Sequence, residues 1–209
     1  MSKHMDKVVR QFSDASTAIR KTYKAMNECL GEGSFGAVYL FKSRQNPTLE
    51  YAVKIMVKEA LDPAALQLAR EEISILSMFD HPNIVKYVES YEDNRYMYIV
   101  MEYMRNATEL YTVIENRKKQ IANDATKNFD SLFPEEEIRQ IMFMILGGLH
   151  HIHMNGVVHR DLKPENCLID SEFRLRIIDF GLSKTASSRE FGNMLLGTPH
   201  YLGPEVFQL

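Results

Sequence analysis

The chain has 209 residues, 45% of them hydrophobic, enough for one large domain or two small lobes and too many for a disordered chain. A net charge of -3 supplies no basic field for nucleic acid or an acidic membrane surface. The two cysteines, Cys29 and Cys167, lack paired spacing, which argues against a disulfide framework or a thiolate metal site and for a reducing compartment.

The start, MSKHMDKVVRQFSDAST, is polar and has no signal-peptide core, and Ser2 replaces the glycine of a myristoylation signal. No apolar run is long enough to span a bilayer. A cytosolic location is therefore expected, with the nucleus as the alternative. Residues 1–22 read as a polar extension. From Tyr23 to Ile55 the pattern predicts strand, Gly-rich turn, strand, turn, strand. The β signals are AVYLF (37–41) and YAVKIMV (51–57), and RQNPT is the turn between them. DPAALQLAREEISILSMF predicts a helix capped by Asp62, with Pro63 in its first turn and an apolar stripe of Ile73, Leu76 and Phe79. HPN (81–83) ends it, and strands resume in IVKYVESYED and RYMYIVMEYM.

The polar stretch from Glu115 to Asp130 reads as a lengthened, solvated loop. PEEEIRQIMFMILGGLHHIHMNG predicts a strong helix, with Pro134 and three glutamates at its start and Gly156 past its end. Ile138, Ile141, Ile145, Leu149 and Ile152 line one face. Short strands follow in CLID and LRIID, then a loop rich in Ser, Thr and Gly. Mostly β gives way to mostly α. The expected class is α+β in two lobes, with an extension (1–22), a first lobe and hinge (23–103), a second lobe (104–209) and a site between the lobes.

Four stretches carry chemistry. In LGEGSFGAVY, Gly31, Gly33 and Gly36 precede a strand rather than a helix, so the turn can close over phosphates through its backbone N–H groups. In AVKI, Lys54 shares a strand face with Ala52, whose small side chain leaves room for a flat ligand. The lysine needs a carboxylate to position it; Glu72 is the better candidate and Glu71 the second. In GVVHRDLKPENCLI, Asp161 can accept a proton from a hydroxyl, Lys163 can neutralise a transferring group, and Asn166 offers a carbonyl oxygen suited to Mg²⁺. His159 follows Val157 and Val158 and reads as a packed, hydrogen-bonded histidine. In IIDFGLS, Asp179 ends an apolar run and suits a metal ligand, against the plainer reading of a turn-forming aspartate.

In this order the motifs resemble a eukaryotic protein kinase domain of the serine/threonine type, from about Tyr23 to the last residue. The DHPNIVKYVE and HRDLKPEN wording is most like the calcium/calmodulin-dependent and calcium-dependent kinases. The resemblance implies a two-lobe kinase fold, with a β first lobe and an incomplete helical second lobe. It implies ATP and Mg²⁺ as cofactors and a protein Ser/Thr hydroxyl as substrate, with no nucleic-acid or membrane partner. Leu30, Gly31, Glu32, Gly33, Ser34, Phe35 and Gly36 would form the phosphate loop. Val38, Ala52 and Leu168 would sandwich the adenine, Met101 would sit at the back of the pocket, and Glu102 and Tyr103 would meet the adenine edge. Lys54, paired with Glu72, would hold the α- and β-phosphates. Asp161 would be the base, Lys163 would meet the γ-phosphate, and Asn166 and Asp179 would hold Mg²⁺.

Arg160 beside the base implies an activation loop positioned by phosphate, with Ser183, Thr185, Ser187, Ser188 and Thr198 as candidate hydroxyls. The chain departs from the family in three places. Gly203 replaces the alanine of Ala-Pro-Glu ahead of Glu205, and RNATEL lacks the hinge-exit glycines, leaving Glu109 for the ribose or a basic substrate residue. The family's helical lobe continues beyond the point reached at Leu209. A fragment is therefore expected, and the alternative function is a catalytically impaired kinase-like binding or regulatory module. NDATKN lacks the glycine and terminal glutamate of a calcium loop, so calcium would act only through segments outside this chain.

Overall fold

The computed structural model describes residues 17–33, 36–123, 132–186 and 197–204. They divide into two compact units, one from Met1–Ser77 with Lys86–Tyr103, the other from Met78–Val85 with Met104–Leu209.

The first unit is built on an antiparallel sheet of β1 (Tyr23–Gly33), β2 (Gly36–Ser43), β3 (Glu50–Val57), β4 (Tyr87–Glu92) and β5 (Tyr96–Glu102), in the order β1-β2-β3-β5-β4. Side chains alternate between its faces, and the register sorts them. Tyr39 pairs with Val53 and Val53 with Val100, while Val38 pairs with Lys54 and Ala52 with Met101. One face is a core of Tyr39, Phe41, Val53, Ile55, Tyr96, Tyr98 and Val100. The other face carries Val38, Ala52, Lys54 and Met101. A Cβ at Gly36 would stand 2.1 Å from the Ile55 carbonyl oxygen, so only glycine lets β2 lie this close to β3.

Of the extension expected over residues 1–22, residues 1–16 lie outside the described residues, and the rest packs onto the fold. Helix α1 (Thr17–Thr22) inserts Ile19, 0% exposed, into the aromatic face beside Tyr23. Arg44 closes the end of that helix, its backbone N–H donating to Thr22 O at 2.8 Å and its Nε to Arg20 O at 2.6 Å. Helix α2 (Pro63–Leu76) begins as its sequence predicts, with the Asp62 carboxylate accepting from Ala65 N at 2.7 Å and Pro63 in the first turn. It stops at Leu76, so Phe79 lies beyond the helix and is buried in the second unit rather than on its stripe.

The second unit holds β6 (Thr108–Glu109), α3 (Leu110–Ala122), α4 (Glu135–Met154), β7 (Val157–Val158), β8 (Cys167–Ile169), β9 (Leu175–Ile177) and β10 (Lys184–Thr185). The strands form a β6-β8-β9 sheet and a β7-β10 pair. Segment Met78–Val85 is bound to β9: Val85 N donates to Ile177 O at 3.0 Å and Ile177 N to Asn83 O at 2.9 Å. Much of the loop expected from Glu115 is helix α3. Its polar residues conceal a helical repeat: Leu110 is buried, the Arg117 guanidinium lies 4.1 Å over the Phe133 ring and 2.6 Å from Glu137, and Lys118 pairs with Glu115. The rest of that expectation lies outside the described residues. Helix α4 buries Ile141, Gly148 and Ile152, but Ile138, expected on the same face, is 48% exposed. No helix among the described residues is long and apolar enough to cross a membrane.

Because Ile19 is enclosed on every side, Ile19→Ala is expected to destabilise the fold by about 2–5 kcal/mol. Urea unfolding would show this as a lower midpoint with an unchanged slope.

Candidate active site

In the first unit, β3 and α2 bring Lys54 and Glu72 together. The ammonium lies 2.6 and 2.8 Å from the two carboxylate oxygens, and the residues are only 7% and 2% exposed. This decides between the two candidate glutamates: Glu71 faces away and accepts from Gln67 at 3.3 Å. Lys54 shares its face with Val38, its cross-strand partner, and with Ala52 and Met101, which pair with each other. Glu102 is tied to Lys86 twice, through its N–H (2.9 Å to Lys86 O) and its carboxylate (2.9 Å from Lys86 N); half-buried Tyr103 follows it.

Gly33 and Gly36 pair at the hairpin end of β1 and β2, and Leu30, Gly31 and Glu32 precede them on β1. Ser34 and Phe35 lie outside the described residues. Nothing stands within 4 Å of a Cβ built at Gly31, so this glycine keeps open space over the strand, whereas Gly36 serves packing.

In the second unit, the turn after β7 presents Asp161. Thr198 Oγ1 donates to its Oδ1 at 2.7 Å, and Lys163 Nζ lies 2.9 Å from its Oδ2. Lys163 also donates to Thr198 Oγ1 at 2.7 Å, closing a ring of three side chains. Asn166 adds two bonds from Nδ2, at 2.8 Å to the Asp161 carbonyl and 3.0 Å to Oδ2. Burial alone would push the Asp161 carboxyl up, but the hydrogen bonds from Thr198, Lys163 and Asn166 with the Lys163 charge together hold it below the usual carboxylate range. The group is an ionised acceptor at neutral pH.

His159 is buried, as expected. Its Nε2 lies 3.2 Å from Ile178 O and its Nδ1 accepts from Asp161 N at 3.3 Å. One neutral tautomer satisfies both contacts, and burial lowers the imidazole pKa in agreement. Arg160 and Asp179 have φ of 66° and 59°, left-handed values that cost a non-glycine residue about 1–3 kcal/mol. The first turn aims the residue before Asp161, and the second turns the chain at the end of β9.

Ile178 N donates to Asn166 O at 2.9 Å, so Asn166 and Asp179 sit at the paired ends of β8 and β9. With Nδ2 engaged twice on Asp161, Asn166 directs its carbonyl oxygen elsewhere, and Asp179 is a solvent-exposed carboxylate. One carboxylate and one amide carbonyl fit a hard cation that completes its shell with phosphate oxygens and water.

Among the hydroxyls assigned to the activation loop, Ser183 is 2% exposed and donates to His159 O at 3.2 Å, so it is a packing group. Thr185 pairs with Val157 in β10. Ser187, Ser188 and Glu205 lie outside the described residues. Thr198 does not stand in an open loop, because its hydroxyl is part of the Asp161 ring. Neighbouring Gly197 makes this possible: it has φ of 112°, and a Cβ there would meet Arg160 O at 2.6 Å. Leu168 is half-buried on β8, opposite Arg176 and Glu109. Burial pushes the Cys167 thiol up to about 12, an inert core group.

A model of the protein kinase domain matches residues 24–208. The chain is 33% identical to serine/threonine-protein kinase PLK4 of Xenopus tropicalis over 191 residues, which cover 90% of this chain and 18% of that protein. It is 34% identical to calcium-dependent protein kinase 4 of Plasmodium berghei, over 92% of this chain and 34% of that protein. Probable serine/threonine-protein kinase MARK-A of Dictyostelium discoideum is 32% identical over 85% of this chain and 15% of its own length. The chain thus spans between about a seventh and a third of these relatives.

The ring on Asp161 generates a titration test. Thr198→Ala removes a hydrogen bond to the ionised form, so the carboxyl pKa is expected to rise toward the ordinary aspartate value, while Thr198→Ser keeps it low. Carbon-13 NMR titration of the Asp161 carboxyl checks the direction. Since the native pKa is depressed, the stability it confers is complete above the ordinary aspartate value and is lost as pH falls through the native one.

Proposed function

The chain belongs to the protein kinase domain family, and from that premise we propose that it transfers the γ-phosphoryl group of ATP to serine or threonine hydroxyls of proteins. The observation that carries this reading is the ionised Asp161 held by Lys163, Thr198 and Asn166. In the proposed reaction Asp161 accepts the proton of the incoming hydroxyl as that oxygen bonds to the γ-phosphorus. The bond from phosphorus to the β,γ-bridging oxygen breaks, and ADP leaves with the electron pair. Lys163 offsets charge on the phosphoryl oxygens at no reorganisation cost, because Asp161 and Thr198 already fix it.

In the first unit, Lys54 binds the α- and β-phosphates and Glu72 fixes its direction. The turn at Gly31 and Gly33 covers the phosphates, with Leu30, Glu32, Ser34, Phe35 and Gly36 completing it. Val38 and Ala52 pack against the adenine, with Met101 behind it and Glu102 and Tyr103 at its edge. Asn166 and Asp179 would hold Mg²⁺, which when bound neutralises phosphate charge.

Serine and threonine are favoured as acceptors by Lys163 two residues after Asp161, and the relatives above carry serine/threonine kinase or calcium-dependent kinase names. Identities of 34% and 33% to a calcium-dependent kinase and to PLK4 favour no narrower class.

Asp161→Asn is expected to lower phosphotransfer from ATP·Mg²⁺ to a Ser/Thr peptide by about 10²–10⁴-fold while leaving nucleotide binding near wild type. Radiolabel transfer and ATP titration measure the two. A loss below tenfold would assign the base elsewhere.

A further inference from the structure

The kinase reading asks Glu72 to stay on Lys54, and helix α2 must be held at one angle for that to happen. A second contact grips the same helix. Glu92, the last residue of β4, places Oε1 2.6 Å from Lys58 Nζ and 3.0 Å from Arg70 Nη2. Lys58 opens the short turn (Lys58–Ala60) that carries the chain from β3 toward α2. It is itself fixed to the β4–β5 turn, with its N–H donating to Arg95 O at 2.8 Å and Nζ to Asp93 O at 2.9 Å. The Asp93 carboxylate holds that turn in shape, accepting from Arg95 N and Tyr96 N at 2.7 Å each. Arg70 lies two residues before Glu72, so the two side chains leave the helix about 200° apart.

We propose that Glu92 is a positioning residue: by bridging Lys58 and Arg70 through one carboxylate oxygen, it fixes the rotation of α2 that keeps Glu72 on Lys54. A single buried pair is a pivot about which a helix can turn. A second contact on the opposite side of the helix removes that freedom. The Glu92 carboxyl is held below its ordinary range by hydrogen bonds from Lys58 and then Arg70, against a smaller opposing effect of burial, so the bridge is charged at neutral pH. Removing the acid also leaves two cations facing each other.

The role in phosphoryl transfer rests on the kinase reading, but the clasp is testable without it. The whole chain is treated with a limiting amount of acetic anhydride, and acetylation of Lys54 is followed by mass spectrometry. Lys24, exposed on β1, is the reference, and amide exchange of Tyr96–Glu102 reports general loosening. Glu92→Gln is expected to raise Lys54 acetylation about three- to tenfold, the range that two exposed ion pairs can command, with both references unchanged. The triple variant Lys58→Glu/Arg70→Glu/Glu92→Lys, which sets one cation between two acids, is expected to restore protection. Three results would each overturn the proposal: unchanged Lys54 reactivity in Glu92→Gln, a rise shared by the Tyr96–Glu102 amides, or no recovery in the triple variant. A wild-type chain that binds no ATP·Mg²⁺ would instead defeat the kinase reading while leaving the acetylation result to judge the clasp.

Discussion

A lysine in the middle of a β-strand, nearly closed off from water, is tolerable only if an anion meets it. The Lys54–Glu72 pair is therefore the constraint around which the first unit is arranged. Desolvating both charges costs several kcal/mol per ion, and breaking such a pair leaves an uncompensated charge inside the protein. The strand must put Lys54 on the face opposite the aromatic core, and the helix must start early enough for Glu72 to arrive above it. Asp62 and Pro63 set that start, and the turn at Lys58 sets its distance from β3. The pair is weak evidence for stability, but it is strong evidence for a cation held ready in one place.

The second unit solves a different problem. Asp161 is held both ionised and aimed, and its neighbours divide these tasks. The backbone is aimed by buried His159 and by the left-handed turn at Arg160. The charge is maintained by Lys163, Thr198 and Asn166. Asn166 also links Asp161 to the segment that leads from β9 to Asp179, through the Ile178 N–H. Asp161, Asn166 and Asp179 are thus positioned by one short stretch of β8–β9 pairing, so an error in that register would displace all three.

Local signals were legible in the amino-acid order wherever the cause is local. β-forming runs bounded by turn residues mark β2, β3 and β5, and Asp62-Pro63 marks the helix start. Short motifs single out Lys54, Asp161, Asn166 and Asp179 as candidates, and of the two glutamates offered as partners for Lys54 it is Glu72 that meets it. What could not be read depends on distant contacts. Thr198 reaches Asp161 across 37 positions, with no periodicity to announce it. Ser183 looks like any loop serine until His159 is seen to bury it. The Glu115 segment hid a helix because its stabilising contacts are made by Arg117 and Lys118 rather than by an apolar stripe. Ile19 sits in a polar stretch, and one buried side chain among its described residues gives no pattern.

The strand order carries a consequence for synthesis. β5 is the last strand of its sheet to be made, yet it lies between β3 and β4. Until Tyr96–Glu102 leaves the ribosome, β3 offers an unpaired edge, and that edge is the apolar run EYAVKIMV. At ordinary translation rates the interval from Val57 to Tyr96 lasts on the order of seconds. Open apolar edges recruit other strands, so the nascent chain passes through a period in which a chaperone, or a neighbouring nascent chain, competes for the position β5 will take. Lys54, in the middle of that run, is the charge that makes such mispairing costly before it has any other use.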